Sequence, residues 1–220
     1  APGPEPVMGG FDCYLFDLDG TLVDSAADLA TGINLLRDEL ALCPLDLATV
    51  RSYVGDGATA LVRRALPESC YSDARLQRFL ALYAEHLLEQ TRVYPGIREF
   101  LDQLEGKQLA VVTNKPLGFS LTLLDGLDLR RYFPVVLGGE SCPAKKPDPQ
   151  PVLEALRQLE TLPQGAVMIG DHHTDLRAGR AAGVATCFCA WGIGEDGGEP
   201  CDFRAQSPAD LPRLLLPEDP

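Results

Sequence analysis

Alternating apolar and polar segments divide the chain into strands and helices. Five short, nearly wholly apolar runs have the composition of strands that are covered on both faces of a sheet: Cys13–Phe16, Leu109–Thr113, Val135–Gly138, Ala166–Ile169 and Val184–Phe188. Apolar residues at helical spacing separate or follow the later runs, at Gly96–Leu104, Leu117–Leu127, Pro149–Leu159, a segment that begins near Thr174, and Ala209–Leu215. Because strands alternate with helices, we predict an α/β fold with a Rossmann-like parallel sheet.

Residues 24–94 show a different pattern, which contains no convincing strand. Amphipathic helical spacing recurs there in three segments: 28–40, Ala58–Leu66 and Leu76–Glu89. An all-helical insertion after the first strand predicts a smaller cap domain, set into an α/β core of residues 11–23 and 95–220. The two connections between these domains lie near Val23–Asp24 and Arg92–Pro95, and paired crossings of this kind can form a hinge.

Composition and charge narrow the classes of function. The 220 residues carry a net charge of −13 at pH 7, which argues against a nucleic-acid partner because such proteins need a basic face. No apolar run reaches the ~20 residues of a membrane span, and residues 1–10 have neither the basic nor the apolar region of a signal peptide. We therefore expect a cytoplasmic protein without a membrane partner, as a monomer or a homodimer, with a disordered extension at residues 1–10. The seven cysteines include no CxxC pair, so neither a disulfide framework nor a cysteine zinc site is expected.

Two carboxylates follow the first apolar run directly. Asp17 and Asp19 are two residues apart, so in an extended segment both side chains point the same way. Adjacent like charges are costly unless a cation holds them, and hard oxygen ligands beside a phosphate substrate indicate Mg²⁺. One carboxylate can then act as a nucleophile at phosphorus. Taken alone, the segment also fits an Asp-Gly turn followed by a helix cap at Asp24.

A second carboxylate pair, Asp171 and Asp175, follows the fourth apolar run and is spaced to share one helix face. The alternative for this pair is a helix N-terminus with favourable acidic residues in its first turn. All these groups come at strand ends, and in open α/β sheets sites form at the carboxyl ends of the strands.

Candidate phosphate-binding groups come from two other segments. Thr113 and Asn114 follow the second apolar run and offer a hydroxyl and an amide to a phosphoryl oxygen. Lys145 and Lys146 precede Pro147, and a lysine fixed by a following proline is a positioned point charge for phosphate. Each segment alone also fits a helix cap or an exposed loop.

Together, and in this order, the four groups resemble the four motifs of the haloacid-dehalogenase superfamily, over residues 11–215. The resemblance implies a nucleophile, a general acid and base, and a neutralising lysine, at Asp17, Asp19 and Lys146 respectively. It implies Mg²⁺ ligands at Asp17, Asp19 (through its backbone carbonyl), Asp171 and Asp175 (directly or through water). It also implies that Thr113 and Asn114 bind the transferring phosphoryl group, and that the inserted helices are the superfamily's helical cap.

Softer signals resemble the bacterial phosphoglycolate phosphatases within this superfamily. They are Tyr53–Ala58 ahead of Leu61–Leu66, Val111–Pro116, Leu137–Glu140 and Trp191–Gly194. The turn formed by Gly55, Asp56 and Gly57 would offer backbone N–H groups to a small carboxylate substrate. The implied reaction is Mg²⁺-dependent hydrolysis of the small phosphorylated metabolite 2-phosphoglycolate through a phospho-aspartyl intermediate.

Other reactions remain open at this point. The superfamily's dehalogenases lack the second aspartate, which is present here as Asp19, and its phosphonate-cleaving members use a cap lysine, whereas residues 24–94 contain none. Thr21 stands where phosphosugar mutases usually carry valine, which makes a mutase less favoured. A phosphatase for a sugar phosphate, a nucleotide or pyrophosphate is the main alternative. A non-catalytic binding module is disfavoured because the set of catalytic residues is complete.

One pair of residues departs from the superfamily's pattern. His172 and His173 follow Asp171, where relatives usually carry a small polar residue and a varied one. The favoured interpretation is that His172 forms a hydrogen bond within the loop and that His173 is exposed. The alternative is that a histidine pair beside an acidic site binds a transition metal.

Overall fold

The computed structural model describes residues 10–217 and contains a six-stranded parallel sheet, so the predicted α/β, Rossmann-like fold is confirmed. Apart from Gly10, the expected disordered extension lies outside the described residues. The sheet strands are β1 (Cys13–Phe16), β4 (Gln108–Val112), β5 (Val135–Leu137), β6 (Ala166–Gly170), β7 (Ala185–Cys189) and β8 (Phe203–Ala205), in the order β5-β4-β1-β6-β7-β8. The helices of the core are α5 (Ile97–Gln103), α6 (Leu117–Gly126), α7 (Gln150–Gln158), α8 (His173–Ala182) and α9 (Leu211–Leu215).

The first strand lies at the centre of the sheet. All four residues of β1 are buried, and all of their paired neighbours except Gln108 are apolar: Phe16 aligns with Val111 of β4 and with Ile169 of β6. Apolar packing covers both faces, which is why the strands carry continuous rather than alternating hydrophobic runs. All six strands run in the same direction, so their carboxyl ends meet at one edge of the sheet.

The short elements that were not predicted include a strand of the sheet, β8, and a helix of the inserted segment, α2 (Leu47–Arg51). β8 has only three residues and carries an exposed Arg204 in its middle, so it lacks the apolar run that indicates the other strands. The helix α2 has five residues, too few to show a helical period; Asp46 caps it by accepting a hydrogen bond from Thr49 N. Elements below about two helical turns leave little periodic signal in a sequence.

The inserted segment consists of helices between two short strands. Its helices are α1 (Ala26–Glu39), α2, α3 (Ala58–Ala65) and α4 (Asp73–His86). α1 and α4 pack closely at Gly32, where an added Cβ would lie 3.2–3.3 Å from atoms of Phe79 and Tyr83. The two crossings to the core pair with each other as an antiparallel ribbon, formed by β2 (Val23–Asp24) and β3 (Arg92–Val93). The description of residues 24–94 as a separate cap domain remains a prediction. In that description, this ribbon contains both chain crossings between the cap and the core.

Among the described residues, no helix combines the length and the apolar character that crossing a membrane requires.

Candidate active site

The candidate residues converge on the carboxyl edge of the sheet. Asp17 directly follows β1, and its backbone N–H continues the ladder by donating to Ile169 O. Thr113 follows β4 and Asp171 follows β6 in the same way. Lys146 reaches this edge from the loop before α7. Residues that are far apart in the sequence therefore meet because their strands are neighbours.

Asp17 and Lys146 form a buried ion pair at the centre of the site. Lys146 Nζ lies 3.1 Å from Asp17 Oδ1 and 2.6 Å from Asp175 Oδ1, and the lysine side chain is only 1% exposed. The backbone N–H of Leu18 also donates to Asp17 Oδ1, at 2.7 Å. Both donors hold the same oxygen, which orients the carboxylate and leaves the lone pairs of Oδ2 for chemistry.

Asp171 is held by backbone groups of a facing loop. Ile193 N and Gly194 N each donate to Asp171 Oδ2 at 2.8 Å, and Thr21 Oγ1 lies 3.1 Å from Asp171 Oδ1. Gly20 lies against the same carboxylate with a φ of +82°, and an added Cβ there would be 2.0 Å from Asp171 Oδ2. A side chain at position 20 would therefore collide with Asp171 as well as strain the backbone.

Asp175 has two functions in the fold. It lies in the first turn of α8, where one oxygen accepts a hydrogen bond from His172 N at 3.0 Å and completes a capping box. Its other oxygen faces Lys146 at 2.6 Å. The capping role matches the structural alternative that the sequence left open, but the ion pair also brings Asp175 into the site.

The chemistry of this cluster fits a magnesium ion. Carboxylate oxygens of Asp17, Asp171 and Asp175 lie within 4.8 Å of one another, and all three residues are buried. One lysine among three buried carboxylates leaves excess negative charge, which a hard divalent cation would neutralise. Burial is the main cause that raises the pKa of Asp17 to about 6, against the lowering effect of Lys146. Burial, followed by the charges of Asp17 and Asp175, raises the pKa of Asp171 to about 8.

These raised pKa values predict how the stability of the metal-free protein depends on pH. Between the ordinary aspartate pKa of 3.8 and about 6, folded Asp17 and Asp171 both hold protons that the unfolded chain has lost, and from about 6 to about 8 Asp171 alone does so. The free energy of unfolding is therefore expected to fall as the pH rises through this window. Excess Mg²⁺ should flatten or reverse the slope, because a metal binds the deprotonated carboxylates. Urea unfolding at several pH values, with Mg²⁺ and with a chelator, measures both slopes; identical slopes would contradict a metal site here.

Asp19 lies apart from this cluster, on the side of the inserted helices. Lys115 Nζ contacts both of its carboxylate oxygens, at 3.0 and 3.2 Å, and Ser25 Oγ donates to Oδ1 at 2.5 Å. Lys115 also lies 2.8 Å from the hydroxyl of Tyr83, in α4. The side chain of Asp19 is thus held by Lys115 and Ser25 and is not part of the cluster formed by Asp17, Asp171 and Asp175.

Lys115 and Tyr83 were not predicted to take part in the site. Burial alone would lower the pKa of Lys115, but Asp19 and then Tyr83 raise it above its ordinary value, so the ammonium is charged. A lysine directly after the polar pair at the end of β4 was the only signal in the sequence. Tyr83 had no such signal, because it occupies an apolar position of a helical pattern.

Thr113 and Asn114 are placed differently from each other. Thr113 Oγ1 accepts a hydrogen bond from Lys115 N at 3.2 Å. The Asn114 amide donates to Lys146 O at 2.9 Å and to Gly55 O at 3.1 Å. Asn114 therefore connects the loop that carries the catalytic lysine candidate to the turn that begins at Gly55.

The residues of the turn at 55–57 line two different cavities. Gly55 and Gly57 line the same cavity as Asp17, whereas the carboxylate of Asp56 turns away toward Arg64 and a neighbouring cleft. Gly55 has a φ of +124°, and an added Cβ there would lie 2.7 Å from His172 Nε2. The turn therefore packs directly on His172, and of its three residues the two glycines line the cavity beside Asp17.

His172 is buried, whereas His173 is half-buried and not exposed as predicted, because its ring packs against that of His172. The Nδ1 atom of His172 lies 2.9 Å from Thr174 Oγ1, which agrees with the favoured interpretation of a hydrogen bond within the loop. Burial, and then the neighbouring His173, lower the pKa of His172 to about 4, so its ring is neutral at neutral pH.

A small cavity joins the two groups of carboxylates to the inserted helices. Its volume is about 40 Å³, room for only a few water molecules. Polar residues form its floor and apolar side chains of the inserted helices, among them Leu61, Phe79 and Leu80, form much of its roof. Lys115 and Tyr83 supply the polar groups nearest that roof. A ligand in this cavity would have a small organic part and its charged groups near the sheet.

Comparisons with known proteins agree with this geometry. A sequence profile of the haloacid dehalogenase-like hydrolases matches residues 14–189. The chain is 39% identical over 209 residues to a phosphoglycolate phosphatase of Chromobacterium violaceum, a match that covers 91% of this chain and 94% of that protein. It is 37% identical over 203 residues to a phosphoglycolate phosphatase of Aquifex aeolicus, covering 91% and 95%.

A solved structure is similar over nearly the same extent. The crystal structure of a predicted phosphoglycolate phosphatase from Haemophilus somnus superposes with a TM-score of 0.87 at 30% sequence identity. The superposition covers 93% of this chain and 97% of that one. The likeness therefore includes the inserted helices as well as the sheet.

Proposed function

Since the chain belongs to the haloacid dehalogenase-like hydrolases, we propose that it is a Mg²⁺-dependent phosphatase that acts on 2-phosphoglycolate through a phospho-aspartyl intermediate. Its membership of the family confirms the resemblance inferred from the four motifs, and its similarity to phosphatases supports an enzyme rather than a binding module. A cytoplasmic location, a free small metabolite as substrate, and a monomeric or homodimeric state belong to the same proposal.

One observation carries the proposal: a buried carboxylate faces a small cavity between a fixed cation and a second carboxylate. Asp17 is held by Lys146 at 3.1 Å, and Asp19 lies two residues further on, outside the cluster of metal-binding oxygens. A nucleophile needs a cation beside it to approach an anionic phosphoryl group, and a leaving alkoxide needs a proton. Lys146 and Asp19 are therefore proposed to meet these two requirements separately.

The proposed reaction has two steps. An oxygen of Asp17 attacks phosphorus, the ester P–O bond breaks, and Asp19 gives its proton to the leaving alkoxide. Asp19 then takes a proton from water, whose oxygen attacks phosphorus, and the aspartyl P–O bond breaks to release phosphate. Lys146 offsets charge on Asp17 and on the phosphoryl oxygens throughout.

Asp17, Asp171 and Asp175 would hold the magnesium ion, together with the backbone carbonyl of Asp19. When bound, the ion would supply positive charge against the phosphoryl oxygens and would separate the three carboxylates from one another. The hydrogen bonds from Ile193 N and Gly194 N keep Asp171 in position for this role.

The position of Lys115 favours a substrate that carries a carboxylate as well as a phosphoryl group. The Lys115 ammonium lies beside Tyr83 OH, where the inserted helices cover the cavity. A two-carbon acid would bring its phosphoryl group to Asp17 and its carboxylate toward Lys115. Asp19, whose carboxylate Lys115 contacts, would then share that ammonium with the substrate carboxylate.

Phosphate release from a panel of phosphomonoesters tests the proposed function. We expect 2-phosphoglycolate to be preferred over sugar phosphates and nucleotides, with activity lost in chelator and restored by Mg²⁺. A different preferred ester with the same Mg²⁺ requirement would keep the mechanism and replace the substrate. Conversion of a phosphosugar without release of phosphate would indicate a mutase instead, and turnover that persists in chelator would contradict the metal assignment.

Replacing Lys115 with Met is expected to reduce the preference for an acidic substrate. The ratio of kcat/KM for 2-phosphoglycolate to kcat/KM for 2-hydroxyethyl phosphate, which lacks the carboxylate, should fall on the order of 10²-fold, as for removal of one partner of a buried charge pair. Lys107→Met is the matched control, because Lys107 pairs with Asp12 near the surface. If kcat/KM fell equally for both substrates, Lys115 would act only by holding Asp19 and would not bind the substrate carboxylate.

A further inference from the structure

A second cluster of possible metal ligands lies outside the site described above. One ligand atom each from Asp56, His172 and His173 falls within 4.8 Å of the others. The two imidazole rings lie against each other, with centroids 4.0 Å apart. The chain has three histidines, and two of them meet here with one carboxylate.

The chemistry of this cluster differs from that of the three-carboxylate cluster. Two imidazoles and one carboxylate suit a borderline transition metal such as Zn²⁺, whereas Mg²⁺ takes oxygen ligands. Three protein ligands with a fourth position open to water form a common zinc geometry. We propose that Asp56, His172 and His173 form a Zn²⁺-class site, distinct from the magnesium site, that ties the inserted helices to the sheet.

Each ligand has a lone pair that can reach the ion. His172 Nδ1 lies 2.9 Å from Thr174 Oγ1 and accepts a long hydrogen bond from Thr174 N at 3.4 Å. In the tautomer that carries its proton on Nδ1 and donates it to Thr174 Oγ1, the long bond from Thr174 N is lost and the lone pair of Nε2 is available to the metal. Such a hydrogen bond to the other ring nitrogen orients metal-binding histidines generally. Arg64 holds only Oδ2 of Asp56, so Oδ1 can bind. Among the hydrogen bonds of residues 10–217, none involves the His173 ring.

The distances require a small contraction. Tetrahedral zinc bonds of about 2.05 Å place ligand atoms roughly 3.4 Å apart, somewhat closer than the 4.8 Å limit that bounds these three. Asp56 and His173 are only half-buried and line a cleft, so their side chains have room to rotate inward. The N-terminus of α8 and the charge of Arg64 oppose a cation, and the Asp56 carboxylate offsets them in part.

The position of the cluster gives the site a consequence for turnover. Asp56 precedes α3 in the inserted segment, whereas the histidines begin α8 of the core. The same turn already touches the core through Asn114 Nδ2, which lies 3.1 Å from Gly55 O. A metal bond added here would hold the inserted helices closed over the cavity, and closed lids slow substrate entry and product release. Zn²⁺ should therefore inhibit the magnesium-loaded enzyme.

Titration with Co²⁺, in the presence of excess Mg²⁺, tests the site directly by the visible absorption of low-coordinate cobalt. We expect one equivalent to bind to the wild type, Zn²⁺ to displace it, and His173→Ala to weaken the affinity at least ~10-fold. His86→Ala is the matched control, since His86 lies on α4 and pairs with Glu89. His173→Gln repeats the test if the alanine variant folds poorly.

Two results of the cobalt titration would contradict the proposed site. Equal cobalt affinity in the wild type and in His173→Ala, or cobalt that added Mg²⁺ displaces, would overturn the proposal, because the ion would then sit in the carboxylate cluster. In the activity assay, Zn²⁺ should inhibit the wild type at concentrations about 10-fold below those that inhibit His173→Ala. The absorption measurement needs no turnover, so it stands even if the proposed phosphatase activity fails.

Discussion

Asp17→Asn is expected to abolish phosphate release, with a loss in kcat of at least ~10³-fold. The amide keeps the shape of the side chain but lacks the negative charge that makes a carboxylate oxygen a nucleophile toward phosphorus. It also removes one negative charge from a buried cluster, so the variant should fold at least as well as the wild type. Measuring phosphate release beside circular dichroism and thermal unfolding separates the loss of chemistry from a loss of structure.

Asp12→Asn is the matched control for this variant. Asp12 precedes the same strand, but its side chain is 81% exposed and pairs with Lys107. We expect its kcat to equal that of the wild type within twofold or so, as for other surface changes. If the Asp17→Asn variant kept its activity and its magnesium requirement, Asp17 would not be the nucleophile. The proposed phospho-aspartyl intermediate would then also be wrong.

Lys146→Met is expected to damage both activity and stability. The change leaves Asp17 and Asp175 buried without their shared cation, and breaking a buried ion pair costs about 3–5 kcal/mol of the free energy of unfolding. The loss of one fixed charge beside the phosphoryl group should lower kcat about 10²–10³-fold. Mg²⁺ should recover part of the lost stability, because the ion would neutralise the same carboxylates.

The neighbouring lysine supplies the control. Lys145 is exposed, and its ammonium contacts the backbone oxygen of Asp56. Lys145→Met should therefore change the free energy of unfolding by no more than about 0.5 kcal/mol, measured by urea unfolding with and without Mg²⁺. If the two variants lost equal stability, the distinction between the two lysines would be wrong.

The fold was predictable because its strands are buried on both faces. Continuous apolar runs such as Ala166–Ile169 indicate such strands without any knowledge of their partners. The order of the strands did not follow from the runs alone, and β8 was missed because Arg204 interrupts a three-residue strand. The helical segments were found within a few residues at each end, since amphipathic spacing persists through most of each helix.

The site was predictable only where polar residues follow a strand directly. Asp17, Thr113 and Asp171 share that signal, and the sheet brings them to one edge. Tyr83 was not predictable, because its hydroxyl reaches Lys115 through the packing of α4 over the cavity and leaves no trace in local spacing. For Asp56, the sequence showed a turn beside glycines, but which way its carboxylate points is decided by Arg64, eight residues later.

The central position of β1 also has a consequence for the order in which the chain can assemble during synthesis. Cys13 pairs with Gln108 on one side and with Ala166 on the other, so the middle of the sheet consists of contacts between residues far apart in sequence. A ribosome must therefore release most of the chain before its first strand acquires both neighbours, and contacts of such long range form slowly. The helices between β2 and β3 depend on nearer partners, with α1 against α4, and can form while that strand waits. The apolar strand is thus exposed for longest in the nascent chain, which makes chaperone dependence and aggregation at this stage the expected weakness of the fold.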